Sequence, residues 1–176
     1  PDRSEYPHLV WLAAHSARLG WVDREKVVRQ LVELVRDGDS PARGVATRAL
    51  AECFGVGGEL KKLWDGLLSD GDPRVQQFAV IAQAAGPAPS LAKIAAGPAR
   101  STDSYVRQSA FQVMARHGSL KQLADWVVSR DDRVRLAAVL AIGTRLTIPP
   151  AVGSLRPGLP LGKWPNDKVY RVTYVG

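Results

Sequence analysis

Asp72-Pro73-Arg74-Val75, Asp103-Ser104-Tyr105-Val106-Arg107 and Asp131-Asp132-Arg133-Val134-Arg135 are three forms of one short pattern. They recur at a spacing of about 30 residues, a period that belongs to stacked repeat architectures. Each opens a run of small apolar residues: Phe78-Ala79-Val80-Ile81-Ala82, Ala110-Phe111-Gln112-Val113-Met114 and Ala137-Ala138-Val139-Leu140-Ala141. No such unit can bury its own apolar face, so self-similarity of this kind predicts an array in which neighbours cover one another. Arrays of this sort usually present a surface to another macromolecule.

The pattern aligns position by position. Val75, Val106 and Val134 match; Ala79, Ala110 and Ala138 follow four residues later; Ala82, Val113 and Ala141 follow after three more. Spacing of i, i+4, i+7 is one buried stripe of an α-helix. Alanine at its centre lets a neighbouring helix approach closely, because no large side chain holds the axes apart. The helix starts are legible too. Asp72 is an N-cap followed by Pro73 at the first helical position, where a missing N–H costs nothing. Asp103 and Asp131 or Asp132 serve the next two units, Ser40-Pro41 repeats the device upstream, and Gly86 and Gly118 are C-terminal stops.

Each of these helices follows another. Leu60-Lys61-Lys62-Leu63-Trp64 with Leu67-Leu68 reads as an amphipathic helix, and Leu120-Lys121-Gln122-Leu123 with Trp126-Val127-Val128 is its counterpart. Trp64 and Trp126 fall at near-equivalent places and are expected to pack between helices. Leu91 and Ile94 fill the same role between these two, in a helix that Gly97-Pro98 must cut short. Residues 22–36 form the first helix of an earlier pair, and its partner runs from Pro41 to about Phe54. Two registers fit that partner, Val45/Ala49 and Ala42/Ala46/Ala49. Leu9 to Leu19 makes one further helix, a capping half-repeat.

The helix pairs, the Asp-x-x-Val-Arg-like opening and the alanine-rich second helix resemble HEAT repeats. The resemblance covers residues 22–146 as about four units. It implies an all-α fold, a right-handed α-solenoid of HEAT-like helix pairs, with 1–21 as a cap and 147–176 as an irregular extension. Tetratricopeptide and ankyrin signatures are absent. In HEAT arrays the turn Asp and the second-helix Arg commonly form a ladder between units; Asp103/Arg107 and Asp131/Arg135 fit that pattern, while Gln76 and Gly44 depart from it.

The net charge is +7, unevenly spread. Residues 1–73 carry 10 basic and 12 acidic side chains, a balance of −2; residues 74–176 carry 14 and 5, a balance of +9. A basic half is able to meet nucleic acid, an anionic membrane or an acidic protein, although its charges are scattered singly through helices rather than gathered in a run. No apolar run approaches the ~18 residues of a membrane span. One cysteine, Cys53, excludes an internal disulfide and any multi-cysteine zinc site, and its apolar neighbours predict a buried bystander thiol.

After about Arg145 the chain changes in kind. Pro149, Pro150, Pro157, Pro160 and Pro165 cannot continue the array, and with Gly153, Gly158 and Gly162 they predict an extended segment. Lys168-Val169-Tyr170-Arg171-Val172-Thr173-Tyr174-Val175 alternates like a strand. One strand is not stable alone, so it is expected to pair outside this chain or to lie against the array with Trp164 as an apolar anchor. With a start at Pro1, this points to a module cut from a larger protein. Val-Tyr-Arg-Val-Thr-Tyr is also similar to strands of large bacterial proteins that combine a sugar-dehydrogenase-like β-propeller, HEAT units and a c-type cytochrome domain. That likeness implies an accessory module of a redox enzyme.

Candidate chemistry is sparse. His8, His15 and His117 are the only histidines. His8 and His15 stand seven apart rather than at metal-binding i, i+4 spacing with a third ligand. His117 sits at a helix C-terminus, where its charge suits the dipole. Gly55-Val56-Gly57-Gly58 lacks the strand before it and the Lys-Ser/Thr after it that a phosphate loop needs, so it reads as a connecting turn. Aromatic residues with Arg and Asp on a concave face would also suit a flipped base, as in HEAT-like alkylpurine DNA glycosylases, but their Trp and Asp pattern is not matched here. The residues therefore predict no catalytic, metal or cofactor site. They predict a non-enzymatic protein-binding scaffold, with nucleic-acid binding as the alternative. In this family the second helices line the inner curve, which makes Gln76, Gln77, Arg107, Gln108 and Arg135 the candidate contact face.

Overall fold

A computed structural model describes residues 6–37, 42–55, 57 and 60–147. The Ser40-Pro41 opening and the strand and anchor expected within 148–176 lie outside them. The described residues are all-α, with no strand among them. The helices are α1 (Tyr6–Arg18), α2 (Arg24–Arg36), α3 (Arg43–Phe54), α4 (Leu60–Leu67), α5 (Pro73–Ala85), α6 (Leu91–Ala96), α7 (Ser104–His117), α8 (Leu120–Val127) and α9 (Asp132–Thr147). A 3-10 turn, Pro98–Arg100, follows α6 where Gly97-Pro98 ends it, and α9 runs one residue past the expected boundary.

Local chemistry sets these ends. The Asp72 carboxylate accepts from the Arg74 N–H at 2.8 Å, and Asp103 accepts from Tyr105 and Val106 at 2.9 and 3.0 Å. Asp131 does the same for Arg133 and Val134, and Asp23 caps α2 through Lys26. Ser119 and Gln122 form a reciprocal capping box at α8. Gly86 and Gly118 close their helices with ordinary negative φ. What demands glycine at 118 is space, since an added Cβ would stand 2.6 Å from the Met114 carbonyl oxygen. Gly55 differs: it ends α3 at a φ of 74°, a left-handed conformation that side chains resist.

The odd-numbered helices pack in chain order, α1 on α3, α3 on α5, α5 on α7 and α7 on α9. Each also packs on the even-numbered helix before it, with α1 joining α2 at the start. The expected stripe lies along this row. Val75, Ala79, Val106, Ala110 and Ala138 are fully buried, with Ala82, Val113, Val134 and Ala141 nearly so. Ala42, Ala46 and Ala49 are fully buried while Val45 is only half-buried, which settles the register of α3. The same stripe extends to α1 as Val10, Ala14 and Ala17.

Ties between successive row helices repeat at their C-terminal ends. The His117 ring N–H donates to the Ala84 carbonyl at 3.0 Å, and Arg145, which holds the same register position in α9, donates to the Gly118 carbonyl at 2.6 Å. His117 thus acts across helices, not only on its own dipole. The two tryptophans are not equivalent. Trp64 is fully buried and donates to the Gly55 carbonyl at 3.1 Å, whereas Trp126 is half-buried. Counting back from Asp72 and Asp131, Leu123 is the residue that takes the place of Trp64, and it is equally buried.

Candidate partner-binding surface

The five residues expected to form a contact face occupy two places. Gln76, Arg107 and Arg135 each follow the first stripe residue, and all three bind the turn that precedes their helix. Gln76 Nε2 donates to the Leu68 carbonyl at 2.8 Å. Arg107 Nη1 donates to the carbonyls of Ser101 and Thr102 at 2.8 and 2.7 Å. Arg135 donates to the Ser129 carbonyl at 2.9 Å and pairs with Asp132. In α3 the equivalent is Arg43, not Gly44: its Nε donates to the Val35 carbonyl at 2.8 Å and its guanidinium pairs with Asp70. A donor at this position satisfies carbonyls that a helix end or turn leaves without partners. Gln77 and Gln108 stand one residue further on, half-buried on the row itself.

The row carries a more distinctive feature that local sequence patterns did not reveal. The Arg48 guanidinium of α3 lies 5.2 Å from the ring centre of Trp11 in α1 and 5.8 Å from that of Phe78 in α5. Trp11 stacks on His15 with ring centres 5.2 Å apart, and Arg48 Nε donates to Glu52 at 2.7 Å. One cation on α3 thus bridges aromatic rings on the two flanking row helices, α1 and α5, an attraction that grows as water is excluded. Arg48, Ile81, Gln112 and Leu140 share a register position and are all exposed, so the strip continues along α5, α7 and α9 with a changing chemical face. The only sequence signal was Arg48 itself, a lone charge at that position; its aromatic neighbours come from distant turns of the chain.

The turns carry a set of internal charge pairs. The unit-to-unit contact there is not Asp103/Arg107 or Asp131/Arg135, since Arg107 binds the Ser101 and Thr102 carbonyls and Arg135 binds the Ser129 carbonyl and Asp132. Arg100 instead pairs with Asp131 at 2.6 Å, and Arg133 donates to the Arg100 carbonyl at 2.6 Å. Further up, Asp65 of α4 accepts from Gln83 at 2.8 Å, from Ser90 at 2.6 Å and from Lys93 at 3.0 Å, joining α4, α5 and α6. Gln83, buried in α5, also accepts from the Ser90 N–H at 3.0 Å, so this amide is satisfied on both sides.

These contacts set the acid response. Burial opposes ionisation of Asp65, but hydrogen bonds from Ser90, Lys93 and Gln83, with the charge of Lys61, outweigh it and hold the carboxyl below its usual range. At Asp131 the Val134 N–H leads, against desolvation, with Arg100 and the Arg133 N–H adding to the same direction. A carboxyl whose folded pKa is depressed contributes stability above its unfolded pKa, near 3.9 for Asp. That contribution is lost as pH falls through the lower folded value. The melting temperature of the full chain is therefore expected to fall as pH drops below about 4. Asp65→Asn is expected to flatten that decline while lowering stability near neutrality. An unchanged acid limb in the variant would show that Asp65 is not linked to folding.

Cys53 is half-buried; burial, partly offset by Arg18 and reinforced by Glu52, raises its thiol pKa and disfavours the reactive thiolate. Among the described residues no group of three or more His, Cys, Asp or Glu is placed to hold a metal ion, and no helix is long and apolar enough to cross a membrane. Compared with known proteins, the chain matches no protein-family model, no curated protein and no solved structure.

Proposed function

We propose that this chain is a right-handed α-solenoid of HEAT-like helix pairs and acts as a non-enzymatic scaffold, binding a protein partner along the open surface of its odd-numbered helices. The solenoid reading is supported by the chain-order packing of α1, α3, α5, α7 and α9 and by the turn-binding donor repeated at Arg43, Gln76, Arg107 and Arg135. The observation that carries the function is the strip of Trp11, His15, Arg48 and Phe78 crossing three helices. Aromatic residues and arginine dominate the energetics of protein interfaces because they bury much surface at modest entropic cost. Gln77 and Gln108 extend the same side with adaptable hydrogen-bonding groups.

A protein partner is favoured over nucleic acid by how the basic half uses its charges. Arg100 and Arg135 are paired with aspartates, and Arg107 and Arg145 are committed to carbonyls. Phosphate contacts would have to displace those partners.

The test is affinity capture with the full chain, identification of the bound protein, and titration of that protein with wild type and with Trp11→Ala and Arg48→Ala. Interface centres typically lose at least 2 kcal/mol on truncation, which is about thirtyfold in Kd. Unchanged affinity in both variants would move the contact off this strip. Micromolar binding of generic duplex or single-stranded DNA that weakens steeply with salt would replace a protein partner by nucleic acid.

A further inference from the structure

Every later row helix is covered by the helix before it: α3 by α2, α5 by α4, α7 by α6 and α9 by α8. Among the described residues α1 has no such helix, and α2, which touches it, packs mainly on α3. The place left beside them is a groove of about 550 Å³. Leu9 and Ala13 of α1 and Val27, Leu31 and Leu34 of α2 line it, together with two carboxylates, Glu33 and Asp37. Register shows that the apolar chemistry of this wall is particular to α1. One residue before the first stripe position stand Arg74 in α5, Tyr105 in α7 and Arg133 in α9, but in α1 it is Leu9, 50% exposed. Among the described residues no basic side chain lines the groove; Arg36, in the last turn of α2, is exposed outside it.

We propose that this groove receives a basic amphipathic helix of a partner protein, in the position that the packing pattern of the array leaves open. The lining on α2 runs from Val27 to Asp37, about 15 Å of helix, so the occupant is about three turns long. Its apolar residues recur at i, i+3, i+4 and i+7, the spacing by which a helix lies in a hydrophobic groove. Its lysine or arginine side chains fall beside Glu33 and Asp37. Both carboxylates belong to the C-terminal end of α2, where outward carbonyls add negative charge of their own. A cation there is attracted by the side chains and by the helix end alike, and an acidic helix is repelled by both. A second copy of the chain fits less well. The first helix of its last pair, α8, has eight residues, shorter than the groove, and its Lys121 is already paired with Asp125. The inference does not rest on the strip that Arg48 forms with Trp11 and Phe78.

Fluorescence anisotropy with the full chain and two labelled designed peptides tests it. One peptide carries leucine at i, i+3, i+4 and i+7 with lysine at the flanking positions on an alanine background; its twin has glutamate in place of each lysine. Wild type is expected to bind the lysine peptide roughly tenfold more tightly than the twin, the effect of a few rim charges, and the gap should narrow as salt rises. Glu33→Lys combined with Asp37→Lys should invert the preference. Leu9→Asp, a charge placed at an exposed position of α1, should weaken both peptides by roughly tenfold or more. Arg48→Ala should leave both unchanged, and circular dichroism checks that each variant is folded. No binding of the lysine peptide to wild type at high micromolar concentration would overturn the proposal. So would a charge preference unmoved by Glu33→Lys with Asp37→Lys, or binding lost in Arg48→Ala but kept in Leu9→Asp, which would move the peptide to the strip. Dimers in sedimentation that Leu9→Asp dissolves and the lysine peptide displaces would assign the groove to a second copy and overturn it equally.

Discussion

Truncating Trp64 to alanine is expected to destabilise the chain by about 3–5 kcal/mol, the cost of removing a large aromatic from a closed core. Trp64 is fully buried in α4, a helix of only eight residues, and supplies much of what holds that helix to the row. Its indole N–H also donates to the Gly55 carbonyl, tying α4 to the left-handed residue that ends α3. Trp64→Phe separates the two contributions: it keeps most of the volume, loses the hydrogen bond and is expected to cost about 1 kcal/mol beyond repacking. Denaturant melts of the three proteins give both numbers. A loss below about 1 kcal/mol for Trp64→Ala would place the indole outside the core.

The second large effect is overpacking. Ala110 has no solvent exposure and sits in α7, which is flanked by α5 on one side and α9 on the other. Ala110→Leu adds three carbons where neither flank can retreat without disturbing the next helix. We expect a loss of about 3 kcal/mol, at the upper end for small-to-large core changes. Gln112→Leu, two residues along on the exposed surface of the same helix, should fall within about 0.5 kcal/mol of wild type. Equal effects at the two positions would mean that the stripe is assigned to the wrong side of α7.

The contrast between these neighbours shows which parts of the fold can be read from the chain. Helix starts were legible because a capping aspartate acts within two or three residues of itself, as Asp72 and Asp103 do. The stripe was legible because periodicity is local too. The register of α3 was not. Both candidate stripes run through Ala49, and the choice depended on Arg43 rather than Gly44 reaching back to Val35. The ladder between units was misassigned for a related reason. Arg100–Asp131 and Arg43–Asp70 join residues about 30 positions apart, so capping chemistry within each turn gave no sign of them. The Trp11–Arg48–Phe78 strip was hidden in the same way, since it exists only once three helices stand side by side. Trp64 and Trp126 mark a further limit: similar positions along two amphipathic helices became different depths once Leu123, not Trp126, filled the slot that corresponds to Trp64.

The linear order of the row is the claim on which the scaffold reading stands, and one distance measurement addresses it. In a Cys53→Ser background, Leu12→Cys and Gln112→Cys place spin labels on exposed positions of α1 and α7, three steps apart in the row. Helices in contact lie about 8–10 Å apart, so pulsed dipolar spectroscopy should return a single distribution centred near 24–30 Å before allowance for the label arms. Leu12→Cys with Ile81→Cys, two steps apart, should give about 16–20 Å on the same basis. Distances that grow with the number of steps are the predicted result. Two pairs with the same short distance would mean that the helices close into a bundle, and that result would contradict the account.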